Sequence, residues 1–128
     1  MASYVIKDNI PAVRKHLLSC SMNIVCVSVI TEAELIFGSL KKPHNIGLKT
    51  AVHEFLIRVD IVPWDSEAAH QYAYLRALLE EQGKSMGNMD MMIAACALSV
   101  GAILVSNDRV FRQLSRYHKD FKLVDWTK

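Results

Sequence analysis

The sequence predicts an α/β protein in which a parallel β-sheet is covered by helices on both faces. Short β-branched and apolar runs, such as residues 24–27 (IVCV) and 102–105 (AILV), would be apolar on both faces of a strand. Such runs are typical of strands buried on both faces. Longer stretches with helical spacing of apolar residues separate them. With 128 residues, 52% of them apolar and 22% charged, the chain is expected to form one domain spanning residues 1–128.

The predicted elements follow one another in a regular order. Pro11 fits the first turn of a helix over residues 12–18, before the strand at 24–27. Ser28 is a typical N-cap for a helix that carries Glu34 and stops within residues 38–43. The later elements are a helix over 44–59, a strand at 61–62, a helix from Asp65 or Ser66 to Gly83, a helix over 89–100 capped by Asn88 and closed by Gly101, a strand at 102–105, a helix over 108–116 and a strand at 123–124.

Composition and charge exclude several classes of protein. The formal net charge is only +2 and no run of lysine or arginine occurs, so the charge permits nucleic-acid binding without arguing for it. Cys20, Cys26 and Cys96 lie in or beside apolar runs without zinc-ligand spacing, which predicts buried thiols and neither a disulfide nor a zinc site. No signal peptide and no apolar stretch of membrane-spanning length is recognisable, so we expect a soluble, cytoplasmic protein.

Three carboxylates in apolar surroundings are the candidate functional residues. Glu34 and Asp90 lie within apolar helices, and Asp108 follows a predicted buried strand. Ligand sites of parallel sheets gather beyond the carboxyl ends of the strands, where these acids would meet. Carboxylates that converge repel one another unless a divalent cation such as Mg²⁺ neutralises them. Each acid alone also has a simpler explanation, as a helix-dipole partner (Asp90), an N-cap (Asp108) or a surface residue (Glu34).

Four segments of the chain resemble, in order, motifs of the PIN-domain ribonucleases of the VapC toxin type. Residues 28–38 (SVITEAELIFG) resemble the S-x-I-T-x-A-E-L-x-x-G motif of that family, and residues 82–95 (QGKSMGNMDMMIAA) resemble its Q-G-x-x-x-G-x-x-D-x-x-I-A-A motif. Residues 104–111 (LVSNDRVF) are similar to its V-T-N-[DN]-x-x-F turn, and residues 124–126 (VDW) to its closing D/E-x-W. No single motif is specific, but the ordered set over nearly the whole chain is.

The resemblance implies a PIN-like three-layer fold and the cleavage of RNA, with tRNA among the candidate substrates, in the presence of Mg²⁺ or Mn²⁺. It implies that Glu34, Asp90 and Asp108 are the catalytic and metal-binding acids. It assigns Ser106 and Asn107 a supporting role through hydrogen bonds. It further implies two partners besides RNA, namely a small antitoxin whose tail occupies the active-site groove and a second copy of the chain in a homodimer.

The start of the chain departs from the family pattern, which begins with a central strand ending in L-D-T-N-I. One alignment places residues 4–7 in the helix that follows this motif and keeps nearly the right spacing to Glu34. We adopt it, and therefore expect the first strand and the first aspartate to be missing, and the fold to be weakened or rescued by a rearranged segment. A second alignment places residues 4–6 in the strand and Asp8 near the motif.

Two functions of different classes follow. The first is a metal-dependent ribonuclease toxin neutralised by an antitoxin. The second is a catalytically impaired PIN-like module that binds RNA or antitoxin without cleavage, which a missing first aspartate favours. A flavodoxin-like phosphate-binding protein is disfavoured, because no glycine-rich loop follows a predicted strand.

Overall fold

Five parallel strands form a sheet in the order β3-β2-β1-β4-β5. The computed structural model describes residues 4–6 and 24–125. The strands are β1 (Tyr4–Ile6), β2 (Val25–Ser28), β3 (Asp60–Val62), β4 (Ile103–Val105) and β5 (Leu123–Val124). The described helices are α1 (Val29–Leu40), α2 (Ile46–Arg58), α3 (Ser66–Glu81), α4 (Asn88–Ser99) and α5 (Arg109–Tyr117). The predicted α/β class with a parallel sheet is confirmed.

The central strand is β1, which pairs with β2 on one side and with β4 on the other. Tyr4 lies opposite Val25 in one ladder and opposite Ile103 in the other. The expectation that the first central strand is missing is therefore wrong. The physical reason is that the inner edges of β2 and β4 both need backbone hydrogen-bond partners, which the β-prone triplet YVI supplies.

The segment between β1 and β2 leaves several sequence predictions open. Placing residues 4–6 in a strand agrees with the second of the two alignments, which also puts Asp8 near the family's first acidic motif. Asp8, Cys20 and the helix predicted over residues 12–18 lie outside the described residues. The role of Asp8 therefore stays a prediction.

Side-chain caps begin three of the helices. Ser28 Oγ accepts the backbone N–H of Thr31 at 3.0 Å, and Asp65 Oδ1 accepts that of Ala68 at 3.1 Å, so both predicted caps are confirmed. The next cap is Asn45, whose side chain accepts a backbone N–H at 2.9 Å. Helix α2 consequently begins two residues later than predicted, because Asn45 satisfies its free N–H groups.

Helix α4 departs from the predicted cap. It begins at Asn88 itself, with Gly87 as an N-cap that makes no side-chain hydrogen bond. The amide oxygen of Asn88 instead accepts the hydroxyl of Tyr72 at 3.4 Å, which ties α4 to α3. Gly83 and Gly101 follow α3 and α4 with φ values of 68° and 65°, the left-handed conformation that glycine adopts at little cost after a helix.

The core occupies both faces of the sheet. Neighbouring residues of one strand point to opposite faces, and Leu104 and Val105 of β4 belong to different apolar clusters. The larger cluster joins β4 to α3, α4 and α5, and its fully buried side chains include Leu75, Ile93, Leu104, Phe111 and Leu114. The smaller cluster joins β2 and β4 to α2, and its members are Val25, Val27, Phe55, Val59 and Val105. The predicted three layers are therefore present. No helix within residues 24–125 is long and apolar enough to cross a membrane.

Two cysteines lie buried in this core, as predicted. Cys26 of β2 and Cys96 of α4 are thiols and not disulfide-bonded. Burial raises the pKa of Cys26 to about 11, and the nearby Asp60 carboxylate adds to the effect. Burial likewise raises the pKa of Cys96 to about 12, with Cys26 and Asp65 adding to it. Both thiols therefore stay protonated and unreactive near neutral pH.

The raised thiol pKa values predict a loss of stability at alkaline pH. The folded chain holds these two protons to higher pH than the unfolded chain, whose thiols titrate near 9.0. The stabilisation is thus complete below that pH and is lost as pH rises toward 11 to 12. We expect the urea midpoint to fall over this window, and to fall less steeply in the Cys26→Ala/Cys96→Ala double variant. Identical pH profiles for the two proteins would contradict this account.

Candidate functional site

The three predicted acids lie on elements that meet at the carboxyl edge of the sheet. Helix α1 starts directly after β2 and carries Glu34 in its second turn. Asp108, the N-cap of α5, follows β4 by three residues. Asp90 lies in the first turn of α4, and α4 ends beside the start of β4, so its first turn points toward the opposite, carboxyl edge. Helix α1 also packs against α4.

The exposure of these acids differs from the buried setting that the sequence suggested. Glu34 and Asp108 are exposed, and only Asp90 is half-buried. A β-carbon built on Gly87 would lie 3.5 Å from Asp90 Oδ2, so this carboxylate folds back over the start of α4. Within residues 4–6 and 24–125, no three His, Cys, Asp or Glu side chains lie close enough together to hold a metal ion. The described acids share an edge without forming a closed cluster.

The turn after β4 is held by the two residues predicted to support the site. Ser106 is buried, and its Oγ accepts the backbone N–H of Asp108 at 3.1 Å. The Asn107 carbonyl accepts the Arg112 guanidinium at 3.3 Å, and that guanidinium also lies 3.9 Å from the Asp125 carboxylate. Ser106 therefore fixes the main chain at Asp108 directly, while Asn107 contributes through its backbone carbonyl.

A second buried serine shapes the end of β2. Ser28 is fully buried, caps α1 and also donates its hydroxyl to Thr31 Oγ1 at 3.2 Å. Strands β2 and β4 lie on either side of β1. A buried serine hydroxyl therefore lies at the carboxyl end of each neighbour of the central strand. These bonds orient the segments that lead to Glu34 and Asp108.

Sequence reasoning missed the group of side chains that anchors the start of α4. Trp64, which follows β3, donates its indole N–H to the Met92 carbonyl at 3.0 Å. The Trp64 ring meets the Tyr72 ring edge-on, with centroids 5.9 Å apart, and Tyr72 donates to Asn88. Arg76 donates to the Tyr72 hydroxyl at 3.2 Å. These contacts hold α4 on both sides of Asp90. A tryptophan just after a strand, with a polar group to satisfy, is the only sequence feature that hinted at them.

Helix α1 presents an aromatic ring next to Glu34. Phe37, one turn further along the helix, is 61% exposed, and Lys41 Nζ lies 5.1 Å from its ring centroid. An exposed ring with a cation above it offers stacking and charge to a ligand at the carboxyl edge.

The match of the sequence to a known domain identifies the family. Residues 4–117 match the PIN domain, so the chain belongs to the PIN domain family. Within that family it is similar to VapC ribonucleases. It is 33% identical over 125 residues to the tRNA(fMet)-specific endonuclease VapC of Shigella flexneri, an alignment that covers 97% of this chain and 91% of that protein. It is 39% identical over 84 residues to Ribonuclease VapC2 of Haemophilus influenzae, covering 66% of this chain and 64% of that one.

A solved structure agrees with these relatives. The fold superposes on a chain of DNA-bound VapBC from Salmonella typhimurium with a TM-score of 0.83 and 26% sequence identity, over 98% of this chain and 99% of that chain. The PIN-like fold predicted from the sequence is thereby confirmed.

The donor set of the carboxyl edge fits a hard divalent cation. Glu34, Asp90 and Asp108 offer only oxygen atoms, which suit Mg²⁺ or Mn²⁺ better than zinc. The side chains described are too far apart to act as a preformed group of three. For these three residues to hold such a cation together, side-chain movement or a further carboxylate would be needed.

We predict that the Trp64 hydrogen bond stabilises the start of α4. Trp64→Phe keeps an aromatic ring and removes the indole donor, and should lower the free energy of unfolding by about 1 kcal/mol. Urea unfolding measures the change. Tyr74→Phe is the control, because Tyr74 is exposed and its hydroxyl makes no hydrogen bond within the described part of the chain, so it should be neutral. Equal stabilities for Trp64→Phe and the parent would refute the anchoring role.

Proposed function

We propose that the chain is a metal-dependent endoribonuclease toxin of the VapC type that works in a toxin–antitoxin pair. The observation that supports the proposal is that Glu34, Asp90 and Asp108 lie on elements that meet at one edge of a PIN-domain sheet. The relatives are named ribonucleases, and one of them is named for its action on tRNA(fMet). Structured RNA, and tRNA first, is therefore the proposed substrate.

The side chains at the carboxyl edge would divide the work between holding a cation and orienting RNA. Glu34, Asp90 and Asp108 would hold Mg²⁺ or Mn²⁺, which when bound polarises a phosphate and lowers the pKa of water. Ser106 holds the main chain at Asp108 and so limits the directions that this carboxylate can take. Phe37 and Lys41 offer a ring and a cation for a base and a phosphate beside Glu34.

Asp8 is the carboxylate that would complete the set. It follows the end of β1 by two residues in sequence, and β1 lies between the two strands whose ends lead to Glu34 and Asp108. We include Asp8 in the proposal on the basis of the sequence alone, because Asp8 lies outside the described residues.

The first test is Mg²⁺-dependent cleavage of a structured tRNA by the parent chain beside Asp90→Asn. Removing a ligand charge while keeping the side-chain shape should lower the cleavage rate by about 100-fold or more, since even groups that only support ligands typically cost 10–100-fold. EDTA should abolish cleavage by the parent. Asp60→Asn is the matched control, because Asp60 is an exposed acid at the amino end of β3 and its loss should change little.

The alternative is a PIN-like module that binds RNA or antitoxin without cleaving RNA. The absence of a metal-holding group of three among residues 4–6 and 24–125 favours it. Equal, EDTA-insensitive background from the parent and from Asp90→Asn would end the nuclease proposal, and binding of RNA or antitoxin by the same chain would then establish this alternative. If the parent cleaves, Asp8→Asn should also lower the rate, whereas an unchanged rate would remove Asp8 from the site.

The antitoxin partner has a candidate surface on α1 and at the start of α2. Large apolar side chains are exposed there, namely Ile36, Phe37, Leu40 and Ile46. Exposed apolar groups that cluster in this way are typical of interaction sites. Because Phe37 lies one turn from Glu34, a segment bound here would also cover the proposed active site.

We expect a small protein encoded next to this chain to co-purify with it and to inhibit cleavage. Phe37→Ser should weaken that complex by about ten-fold, as loss of a buried aromatic anchor typically does. Tyr74→Ser is the control, since it removes an exposed ring that lies outside this surface. If Phe37→Ser leaves binding unchanged, the antitoxin binds to another face of the molecule. The homodimer also remains a proposal, which sedimentation of the purified chain tests.

A further inference from the structure

A surface cavity lies at the amino edge of the sheet, opposite the acids. Its volume is about 610 Å³, and Gly101 and Ala102, which precede β4, and Lys122, which precedes β5, form part of its lining. A neighbouring cavity of about 340 Å³ shares three lining residues with it, Tyr74, His118 and Asp120. The two form one depression, which we call the amino-edge groove.

The amino-edge groove carries a positive charge excess. Arg116, Lys119 and Lys122 line it, and Asp120 is its only carboxylate among the described residues. Three cations and one anion give the groove a formal charge of +2, which equals the formal net charge of the whole chain. Within residues 24–125, these three cations take part in no ion pair, whereas Arg58, Arg76 and Arg112 each lie within 4 Å of a carboxylate.

Aromatic and imidazole rings stand among these cations. Tyr74 is 59% exposed and meets the His118 ring edge-on, with centroids 5.6 Å apart. His118 Nδ1 accepts the backbone N–H of Asp120 at 3.2 Å, so the neutral ring carries its proton on Nε2 and retains a donor. His70 Nδ1 lies 2.8 Å from the Ser66 carbonyl and must donate to it.

We propose that the amino-edge groove binds single-stranded RNA outside the acidic edge. Cations that take part in no ion pair within residues 24–125 are available for phosphate contacts, which dominate nucleic-acid affinity, and exposed rings supply stacking for bases. The carboxylates of the opposite edge repel phosphates when no cation is bound, so a positively charged groove away from them would add affinity for RNA. The choice of RNA as the ligand rests on the proposed function, but the groove binds RNA whether or not the chain cleaves it.

The test measures RNA binding without cleavage. The Asp90→Asn chain is titrated in EDTA against a fluorescently labelled single-stranded RNA, and anisotropy gives the Kd at several salt concentrations. Lys119→Ala/Lys122→Ala should weaken binding about ten-fold at low salt. It should also reduce the slope of log K against log salt by about 1.4, which corresponds to two lost phosphate contacts on a single strand. Tyr74→Leu should weaken binding about five-fold with an unchanged slope, because it removes only stacking.

The matched control is Lys42→Ala/Lys49→Ala, which removes the same charge from exposed positions outside the groove. It should weaken binding less than two-fold. Equal losses for the two double variants would mean that RNA responds only to overall charge, and would overturn the proposal. Unchanged affinity in Lys119→Ala/Lys122→Ala would overturn it as well.

Histidine ring signals in NMR spectra separate RNA from simpler anions. RNA should shift the signals of His70 and His118 and leave those of His44 and His53 in place. If inorganic phosphate shifts His118 equally and RNA affinity does not depend on the groove lysines, the cavity is a phosphate site and the RNA assignment is wrong. Groove-dependent binding by a parent chain that shows no Mg²⁺-dependent cleavage would refute the nuclease proposal and leave the RNA site standing.

Discussion

The backbone pairing of a three-residue strand holds this fold together. Strands β2 and β4 carry the segments that lead to Glu34 and Asp108, and neither contacts the other in the sheet. Only β1 joins them, through parallel ladders on both sides. The distance between the two acids is therefore set by a strand that carries neither, and without it the inner backbone groups of β2 and β4 would lose their partners.

Much of this architecture was predictable because its signals are local. The runs 24–27 and 102–105 show no polar face, which is typical of buried strands. Ser28 and Asp65 are side chains whose oxygens reach the free N–H groups of a following helix, and both cap as expected. The ordered acidic motifs likewise led to the PIN domain family, which the match over residues 4–117 confirms.

The parts that were not predictable depend on contacts between distant segments. Residues 4–6 are too short to show a period, and their place follows from the needs of strands far along the chain. Asn88 has the chemistry of an N-cap, but Tyr72 competes for its oxygen. The exposure of Glu34 and Asp108 depends on how helices pack, so sequence alone suggested a more buried site than the structure has. The assignment of those acids to a metal remains a proposal.

The opposite locations of the acids and of the amino-edge groove give the molecule a polarity along its strands. One pole carries Glu34, Asp90 and Asp108, and the other carries Arg116, Lys119 and Lys122. A protein whose two ends carry opposite charges experiences a torque in the electric field of a polyanion, so it is oriented before the two molecules make contact. If the amino-edge groove binds RNA as proposed, this chain would meet an RNA strand with the amino edge first. The first contact with RNA and the chemical step would then occur at opposite ends of the molecule. The rate of RNA binding would depend on ionic strength more than the rate of any later step.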